Sequence, residues 1–323
     1  MQEQIFAPKP KLGEAWDVAI VGSGPAALTA AVYTTRGAAS TLIIAGEKWG
    51  GQLMLTSMVD NFPGFPEGIM GPDLMLNMRK QAVRFGAEFL EKNATKIDIT
   101  KSPFEIQSGE EVFFVRSIII ATGAATNWLN IPGEAILIGR GVSSCAPCDA
   151  PFFKEKTVAV IGGGDSAMEE ALVLTKYASK VYVIHRRDSF KASKIMQDKV
   201  FNSPKIEVIW NTEVKEAVGV QKLEKIKIFN KKTNQGSELA IDGMFVAIGH
   251  KPESEIFKGH VDTDEKGYIK LHNMSQTSVE GIYVSGDVHD YHYRQAVTAA
   301  GYGAMAGLDV LKYLEENKQH ARK

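Results

Sequence analysis

Apolar and polar positions near the start of the chain follow an order typical of a strand, a tight turn and a helix. Asp17–Val21 is an apolar run, Gly22–Ala27 has the spacing G-x-G-x-x-A, residues 28–36 have a helical pattern, and Thr41–Ala45 is a second apolar run. This order predicts a βαβ unit with parallel strands. The glycines permit a turn at which a pyrophosphate can approach the free N–H groups of the helix.

The same order occurs again in the middle of the chain. Thr157–Ile161 is the apolar run, Gly162–Ala167 repeats the glycine spacing, residues 168–177 have the helical pattern, and Val181–Ile184 follows. One such motif is a weak signal, but two in complete strand–turn–helix contexts predict two dinucleotide-binding units. The alternative is two glycine turns that bind no nucleotide.

Further apolar runs end in glycine, and other segments alternate between apolar and polar residues. The runs are Ser117–Gly123, Met244–Gly249 and Gly281–Asp287, and the alternating segments Ile206–Trp210 and Lys225–Phe229 are typical of antiparallel strands. The predicted fold class is α/β, with two Rossmann-like dinucleotide-binding domains.

Composition excludes several classes of protein. The 323 residues are 44% apolar and 23% charged with a net charge of −1, which is typical of a globular chain of about two domains. No apolar run reaches the ~18 residues of a membrane span, and the charge gives no overall attraction to nucleic acid. The first fifteen residues lack an apolar core and predict a loosely ordered lead-in rather than a signal peptide. We expect a cytoplasmic protein that binds neither nucleic acid nor membranes.

The residues after the second strand of each unit indicate different ligands. His185, Arg186, Arg187 and Lys191 follow that strand in the second unit, and basic groups there suit the 2′-phosphate of NADPH. An exposed basic turn without a ligand is the alternative. The first unit has no acidic residue at the strand tip, although Glu47 is near, and FAD is the natural partner of an NADPH site.

The two cysteines of the chain, Cys145 and Cys148, indicate redox chemistry. One disulfide between two cysteines cannot be the framework that stabilises a chain of this length, and the C-x-x-C spacing allows a reducible disulfide. A helix start beside them lowers the pKa of the nearer thiol, and Asp149 is a candidate general acid or base. A zinc site, for which His289 and His292 are the further candidate ligands, and two inert buried cysteines are the alternatives. We predict no metal.

These segments together resemble the low-molecular-weight thioredoxin reductases over about residues 16–314. The resemblance implies a homodimeric flavoprotein that contains FAD and passes electrons from NADPH to the cysteine pair and then to thioredoxin. The matching stretches are Gly22–Ala26, Gly51–Leu53, Asn61–Gly64, Ala121–Gly123, Gly141–Asp149, Gly162–Ala167, His185–Asp188, Gly286–Val288 and Tyr293–Ala296.

The resemblance also implies roles for single residues. Cys148 is the thiol next to the flavin, Cys145 attacks the disulfide of thioredoxin, and Asp149 is the acid. The basic cluster after the second unit holds the 2′-phosphate of NADPH. Lys191 stands where arginine is usual, and lysine lacks the bidentate fork of arginine.

The predicted cofactor contacts fall in both parts of the chain. Those in the flanking segments are Gly22, Ser23, Gly24, Pro25, Ala26, Glu47, Gly51, Gln52, Asn61, Gly123, Gly286, Asp287, Arg294, Gln295 and Ala296. Those in the inserted segment are Gly162, Gly164, Asp165, Ser166, Ala167, His185, Arg186, Arg187, Lys191, Ile248 and Gly249.

Chain order predicts that one domain is inserted into the other. The cysteine pair and the second glycine motif lie between the runs that end at Gly123 and Gly249. We therefore expect an FAD-binding domain of residues 1–124 and 251–323, and an NADPH-binding domain of residues 125–250 that carries the cysteines. Because the nicotinamide and the disulfide must both reach the flavin, we expect the inserted domain to rotate between half-reactions about connections near residues 124–126 and 250–252.

Departures from the family pattern concern the surroundings of the cysteines. Ala146-Pro147 stands between them, and Ala150-Pro151 replaces the usual glycine after Asp149. These changes bear on the identity of the partner more than on the chemistry. Phe152-Phe153 and Arg140 match family positions near the thioredoxin docking surface, and ordinary core is the alternative for the two phenylalanines.

Other functions remain open from the sequence. A flavin oxidase of small dithiols has the same fold, but it needs no basic cluster for NADPH. A ferredoxin or flavodoxin reductase relative needs no cysteine pair. A nucleotide-sensing binding module is the alternative without catalysis.

Overall fold

The computed structural model describes residues 9–11 and 13–320, with side chains to residue 317. Residues 1–8 and 12 of the predicted lead-in therefore lie outside the described residues. The chain divides into two compact units. The first contains the described residues up to Ala125 and from Lys251 onward, and the second is Thr126–His250. Among the described residues, no helix combines the length and apolar character needed to cross a membrane.

Helices and strands alternate along the described part of the chain. The α-helices are α1 (Pro25–Arg36), α2 (Gly71–Arg84), α3 (Glu134–Leu137), α4 (Ala146–Asp149), α5 (Asp165–Leu174), α6 (Lys194–Phe201) and α7 (Ala296–His320). The strands are β1 (Trp16–Val21), β2 (Thr41–Ile44), β3 (Met58–Val59), β4 (Ile69–Met70), β5 (Glu88–Leu90), β6 (Lys96–Asp98), β7 (Phe104–Ser108), β8 (Glu111–Ile120), β9 (Ala124–Thr126), β10 (Val142–Ser143), β11 (Thr157–Gly162), β12 (Lys180–Ile184), β13 (Ile206–Ile209), β14 (Thr212–Val218), β15 (Lys225–Asn230), β16 (Gln235–Ala240), β17 (Gly243–Ala247), β18 (His250–Pro252) and β19 (Ile282–Val284). Short 3-10 helices cover Gly51–Leu55, Ala150–Phe153, Glu255–Phe257 and Gly286–Val288.

The first unit is built on a sheet in the order β5-β2-β1-β8-β7-β6, with β19 also paired to β8. The strands β2, β1, β8 and β19 run parallel, so their carboxyl ends meet at one edge of the sheet. One face of the sheet packs on α1 and α7 through residues such as Ile20 and Val310. The other face packs on residues such as Phe257. Because both faces of the sheet are buried, the sequences of these strands are continuous apolar runs.

Helices α1 and α7 approach each other closely. A Cβ atom at Gly303 of α7 would lie 2.2 Å from the carbonyl oxygen of Ala26 in α1. The small residues Ala26, Ala27, Ala30 and Ala31 of α1 are all buried. Close packing of these two helices therefore fixes the helix that begins at the first glycine turn.

The second unit contains an all-parallel sheet in the order β10-β17-β11-β12-β13. An antiparallel sheet of β14, β15 and β16 lies between β13 and β17 in the chain. The core on one face of the parallel sheet includes Val160, Ala167 and Phe245. Strands β9 and β18 contain the two points at which the chain passes from one unit to the other.

Three local predictions differ from the structure. Ile206–Trp210 was expected to be antiparallel, but β13 pairs in parallel with β12 because α6 returns the chain to the same edge. Helix α1 begins at Pro25 rather than at residue 28, since proline is preorganised for the first helical position. Helix α5 is Asp165–Leu174 rather than 168–177, with its acidic first residue favourable at a helix N-terminus.

Replacing Ala38 by glycine is expected to stabilise the protein. Ala38 follows α1 with a φ of 61°, a left-handed conformation in which glycine avoids the clash of the Cβ atom. We expect Ala38→Gly to raise the free energy of unfolding by about 0.5–1 kcal/mol, measured by denaturant titration. The neighbouring Ala39 is buried and does not have a positive φ, so Ala39→Gly should instead destabilise the chain. A loss of stability in Ala38→Gly would contradict this account.

Candidate functional site

The first glycine turn brings the backbone of β1 against the end of β8. Gly22 has a φ of +121°, and a Cβ atom there would lie 2.1 Å from the carbonyl oxygen of Ala121. Gly24 is the N-cap of α1, and a Cβ atom at this residue would meet nothing within 4 Å. The turn therefore leaves open space in front of the helix N-terminus, where backbone N–H groups favour an anion. Pro25 and Ala26 already belong to α1.

Ser23 holds this turn to the next loop. Its hydroxyl donates to the carbonyl oxygen of Ala45 at 2.7 Å and accepts the N–H of Gly50 at 2.9 Å. A Cβ atom at Gly51 would lie 3.6 Å from the Cα atom of Gly24, so the two glycine loops are adjacent. The hydroxyl group of Ser23 thus links the first glycine turn to the loop that follows β2.

Glu47 and Gln52 lie on the same side of the unit as this turn. Glu47 follows the tip of β2 and is exposed, and its N–H donates to the side-chain oxygen of Asn93 at 3.2 Å. Gln52 lies in the 3-10 helix Gly51–Leu55 and is exposed. Both positions suit contact with a ligand on the surface of the unit.

Buried polar atoms without hydrogen-bond partners gather where β8 and β19 end. They are Thr122 Oγ1, Ser285 Oγ, Asp287 Oδ1 and His289 Nε2. The N–H of Ser285 donates to the carbonyl oxygen of Ile120, which places the two strand ends side by side. Buried polar groups are normally paired, so such a cluster indicates a ligand site.

Burial also shifts the pKa values of two of these groups. Burial raises the pKa of Asp287 to about 7, with a further increase from the carboxylate of Asp290 and a decrease from Arg294. Burial lowers the pKa of His289 to about 4, so its ring is neutral near pH 7 and packs edge-on against Tyr302. Sequence reasoning assigned Asp287 but passed over His289 as a candidate contact, because its burial has no signal in a single sequence.

Asp290 is a second residue that sequence reasoning missed. Its buried carboxylate accepts the N–H groups of His292 at 3.0 Å, Tyr293 at 2.9 Å and Arg294 at 3.4 Å. These bonds shape the turn before α7, where Arg294 has a φ of 49°. An aspartate two to four residues ahead of a turn is a recognisable signal for such a role.

The structure brings together two predicted contacts that are far apart in the sequence. The side-chain nitrogen of Asn61 donates to Gln295 Oε1 at 3.1 Å. Ala296 directly follows Gln295 and is the first residue of α7. Gly286 has a φ of 76°, and a Cβ atom there would lie 2.9 Å from that of Ala26. Gly123 has a φ of 75° with open space around it.

The second glycine turn repeats the geometry of the first. A Cβ atom at Gly162 would lie 2.3 Å from the carbonyl oxygen of Ala247, whereas one at Gly164, the N-cap of α5, would meet nothing within 4 Å. The carboxylate of Asp165 accepts the N–H and the hydroxyl of Ser193, each at 2.8 Å. Asp165 therefore fixes the segment after the basic cluster.

The other predicted contacts around this turn differ in exposure. Ser166 is exposed, whereas Ala167 is fully buried and packs under Gly162. After β17, Ile248 is 42% exposed and Gly249 has a φ of 102°. Ala167 thus supports the turn, and Ile248 can contact a ligand.

The side chain of His185 is buried, unlike those of the basic residues that follow it. It is 9% exposed and packs against Phe190 and Trp210. A Cβ atom at Gly163 would lie 2.3 Å from its ring. Burial is the main cause that lowers its pKa. His185 therefore supports the glycine turn from beneath as a neutral ring.

The remaining cations of the basic cluster are exposed. Arg186, Arg187 and Lys191 are all on the surface of the second unit. The N–H of Lys191 donates to the carbonyl oxygen of Gly163 at 2.8 Å, which keeps this lysine beside the glycine turn. Three positive groups therefore remain for a phosphate.

The cysteine pair lies in the same unit as the second turn. Cys145 and Cys148 form a disulfide, with Cys145 as the N-cap of the short helix α4. Ala146 is fully buried against α5, and its N–H donates to the carboxylate of Glu170 in α5 at 3.2 Å. The disulfide is thus attached to the helix that begins at the dinucleotide turn.

Asp149 lies at the end of α4. Burial raises the pKa of its carboxyl group, and a hydrogen bond from Ser143 opposes that effect. A carboxyl group with a raised pKa can keep its proton closer to neutral pH, as a general acid requires. The predicted role of Asp149 is compatible with this environment.

The predicted docking residues separate into surface and core. Arg140 is exposed, and Phe152 is 45% exposed. Phe153 is buried, packs edge-on against Phe245 with 5.2 Å between ring centroids, and covers Gly243. Only Phe152 of the two phenylalanines offers an apolar surface to a partner.

The family description pyridine nucleotide-disulphide oxidoreductase matches residues 16–303. The chain belongs to this family. The pyridine nucleotide-disulphide oxidoreductases use a flavin and a pyridine nucleotide, in agreement with two dinucleotide turns.

Curated relatives and solved structures are similar over most of the chain. Thioredoxin reductase of Streptomyces clavuligerus is 48% identical over 301 residues, which are 92% of this chain and 94% of that protein. Thioredoxin reductase of Rickettsia felis is 48% identical over 93% of this chain and 98% of that protein. The crystal structure of thioredoxin reductase from Streptococcus pyogenes has a TM-score of 0.90 at 40% identity, covering 94% of this chain and 99% of that chain.

These comparisons confirm several predictions. The resemblance to low-molecular-weight thioredoxin reductases and the α/β fold with two Rossmann-like units are confirmed. So is the prediction of an enzyme, a flavoprotein disulfide reductase.

Alanine substitutions in the first turn should separate folding from cofactor binding. Residue 24 has an ordinary φ of −73° and open space around it, so we expect Gly24→Ala to leave the melting temperature of the flavin-free protein unchanged. The added methyl group would occupy the space at the helix N-terminus, and we expect at least a tenfold loss of flavin affinity. Gly22→Ala should destabilise the chain by about 3 kcal/mol through its clash and positive φ. Calorimetry and flavin absorbance measure both effects, and full flavin binding by Gly24→Ala would contradict the assignment.

Proposed function

We propose that this chain is an NADPH-dependent thioredoxin reductase. Electrons pass from NADPH to FAD, then to the Cys145–Cys148 disulfide, and then to oxidised thioredoxin. Residues 1–124 and 251–323 form the FAD-binding domain, and residues 125–250 form the NADPH-binding domain. The substrate is supported by the names of the relatives, which are thioredoxin reductases.

One observation carries this proposal. A C-x-x-C disulfide lies in the same unit as a dinucleotide turn that is followed by exposed arginines. Arg186 and Arg187 suit the 2′-phosphate that distinguishes NADPH from NADH. A flavin oxidase of small dithiols would need no such phosphate site.

The carboxyl edge of the sheet in the first unit fits a flavin dinucleotide. Thr122, Ser285 and Asp287 present buried polar atoms without partners there, and Gly24 leaves space at a helix N-terminus. Asp287 would hold a ribityl hydroxyl group, and the N-terminus of α1 would hold the pyrophosphate. When bound, FAD supplies a two-electron relay between a nicotinamide and a disulfide.

The cysteine pair then transfers two electrons to the partner by thiol–disulfide exchange. The thiolate of Cys145 attacks one sulfur of the thioredoxin disulfide, and the other thioredoxin sulfur leaves as a thiolate. The thiolate of Cys148 next attacks Cys145, which releases reduced thioredoxin and restores the internal disulfide. Asp149, with its raised pKa, donates a proton to a leaving thiolate or accepts one from a thiol.

We further propose that the inserted domain rotates, and the connectivity of the chain supports this. The disulfide and the second turn belong to one unit, and the proposed flavin site belongs to the other. Because nicotinamide and disulfide must contact the same ring, they do so in turn, and the connections through β9 and β18 are the hinges. We also infer that the enzyme is a cytoplasmic homodimer, as the family resemblance implies.

The first test is NADPH oxidation by the purified yellow protein with and without thioredoxin. We expect oxidation that depends on thioredoxin and is lost in Cys148→Ser, because the internal disulfide no longer forms. NADPH should still bleach the flavin of Cys148→Ser, which controls for intact cofactor sites.

Other outcomes would redirect the proposal. Flavin that NADPH bleaches without any transfer to thioredoxin would mean a different disulfide partner. Flavin that NADPH cannot bleach would favour the small-dithiol oxidase, and a colourless protein would favour a binding module.

Fixing the two domains should separate the half-reactions. We expect an engineered crosslink between the domains, verified by mass spectrometry, to abolish steady-state turnover and to spare one half-reaction, because only one orientation remains. Stopped-flow flavin absorbance follows each half-reaction, and reduction of the crosslink should restore turnover. Unchanged turnover in a fully crosslinked sample would rule out the rotation.

A further inference from the structure

The guanidinium group of Arg79 lies over two aromatic rings in the first unit. Its Cζ atom is 4.6 Å from the ring centroid of Trp49 and 3.9 Å from that of Phe89. The two rings contact each other edge to face, with 5.7 Å between their centroids. Because the face of an aromatic ring attracts a cation, Arg79 of α2 attaches the ring of Trp49 to Phe89 of β5.

An ion pair fixes the guanidinium group in this place. Arg79 Nη2 donates to Glu91 Oε1 at 2.6 Å, and Glu91 directly follows β5. The side chain of Arg79 is only 26% exposed, and partly buried charges are screened less by salt than exposed ones. Trp49 and Phe89 both pack against the core that contains α1 and α7. Arg79 is therefore anchored to β5 while it contacts Trp49.

Trp49 belongs to the loop of residues 45–50, which we call the Trp49 loop. This loop leads from β2 to the 3-10 helix that begins at Gly51. Gly50, the residue after Trp49, donates its N–H to the hydroxyl group of Ser23 at 2.9 Å. The ring of Trp49 is thus one residue away from the hydrogen bond that joins this loop to the first glycine turn.

Two consecutive glycines make the end of this loop costly to order. Gly50 has a φ of 93° and Gly51 a φ of 68°, and glycine loses more conformational freedom on folding than other residues do. A Cβ atom at Gly51 would lie 3.6 Å from the Cα atom of Gly24, so the ordered loop lies beside the open space in front of α1. An anchored side chain next to the glycines reduces the freedom that ligand binding would otherwise have to remove.

We propose that Arg79 is a positioning residue for the flavin dinucleotide, which acts through the ring of Trp49 by holding the Trp49 loop against the first glycine turn. Neither Arg79 nor Trp49 belongs to the cofactor contacts predicted from the sequence. This inference rests on the proposed function, which places FAD at that turn.

Binding of FAD to the flavin-free protein tests this role without NADPH or thioredoxin. The full chain is stripped of flavin and titrated with FAD, and calorimetry gives the dissociation constant. We expect Arg79→Ala and Trp49→Ala each to raise this constant roughly tenfold. In the double variant we expect no further increase over Trp49→Ala, because a residue that acts through the ring has no effect once the ring is absent.

Arg84 provides the matched control on the same helix. Its Cζ atom is 4.7 Å from the ring centroid of Phe85, which follows the last residue of α2 and lies outside the Trp49 loop. Arg84→Ala should therefore keep the wild-type dissociation constant for FAD. Melting temperatures of the flavin-free variants show what each change costs in stability alone. Arg79→Met keeps an apolar stem without the charge and carries the test if Arg79→Ala fails to fold.

The outcomes separate this inference from the proposed function. A wild-type dissociation constant in Arg79→Ala, or an equal loss of affinity in Arg84→Ala, would overturn the role of Arg79. Losses that multiply in the double variant would also overturn it, because Arg79 would then act independently of Trp49. In each of these cases the wild-type chain still binds FAD and the proposed function stands. A wild-type chain that binds no FAD would overturn both.

Discussion

The packing of α4 against α5 is the contact on which the chemistry of the second unit depends. Helix α5 begins at the dinucleotide turn with Gly164 as its N-cap, and its residue Glu170 accepts the N–H of Ala146 beside the disulfide. Asp165 and Glu170 are five residues apart, which corresponds to roughly 7.5 Å along a helix. Ala146, Ala167 and Ala171 share one core. The nucleotide turn and the disulfide therefore belong to one unit, and the proposed rotation would carry both together.

The two dinucleotide turns have the same close backbone contacts but different surroundings. In each, the first glycine of the G-x-G spacing admits a neighbouring strand's carbonyl oxygen, and the second leaves open space at a helix N-terminus. Around the first turn, buried atoms of Thr122, Ser285 and Asp287 lack partners. Such groups are costly without a ligand, so we expect a cofactor bound at the proposed flavin site to stabilise the first unit. Around the second turn, Nε2 of the buried His185 also lacks a partner, whereas Arg186, Arg187 and Lys191 are exposed to water.

The architecture could be predicted from sequence patterns that extend over a few residues. The roles of single residues depend on their burial, which those patterns do not give. Strand, glycine and helix signals lie within one βαβ unit, and both units formed where predicted. The direction of β13 could not be predicted, because alternation is the same in parallel and antiparallel strands. His185 reads as one of four basic groups, but an aromatic cluster buries it as a neutral ring. Asp290 acts through hydrogen bonds whose geometry only the folded chain defines.

The departures from the family pattern around the disulfide are compatible with this packing. Ala146 is fully buried, so its small size is fixed by the contact with α5. Pro147 is exposed in the first turn of α4, where its missing N–H would have no helical partner. Ala150 has a φ of −53°, an ordinary helical conformation that does not require the glycine common at this position. Pro147 and Pro151 are exposed, so both prolines change the surface beside the disulfide, which is the surface proposed to meet a partner.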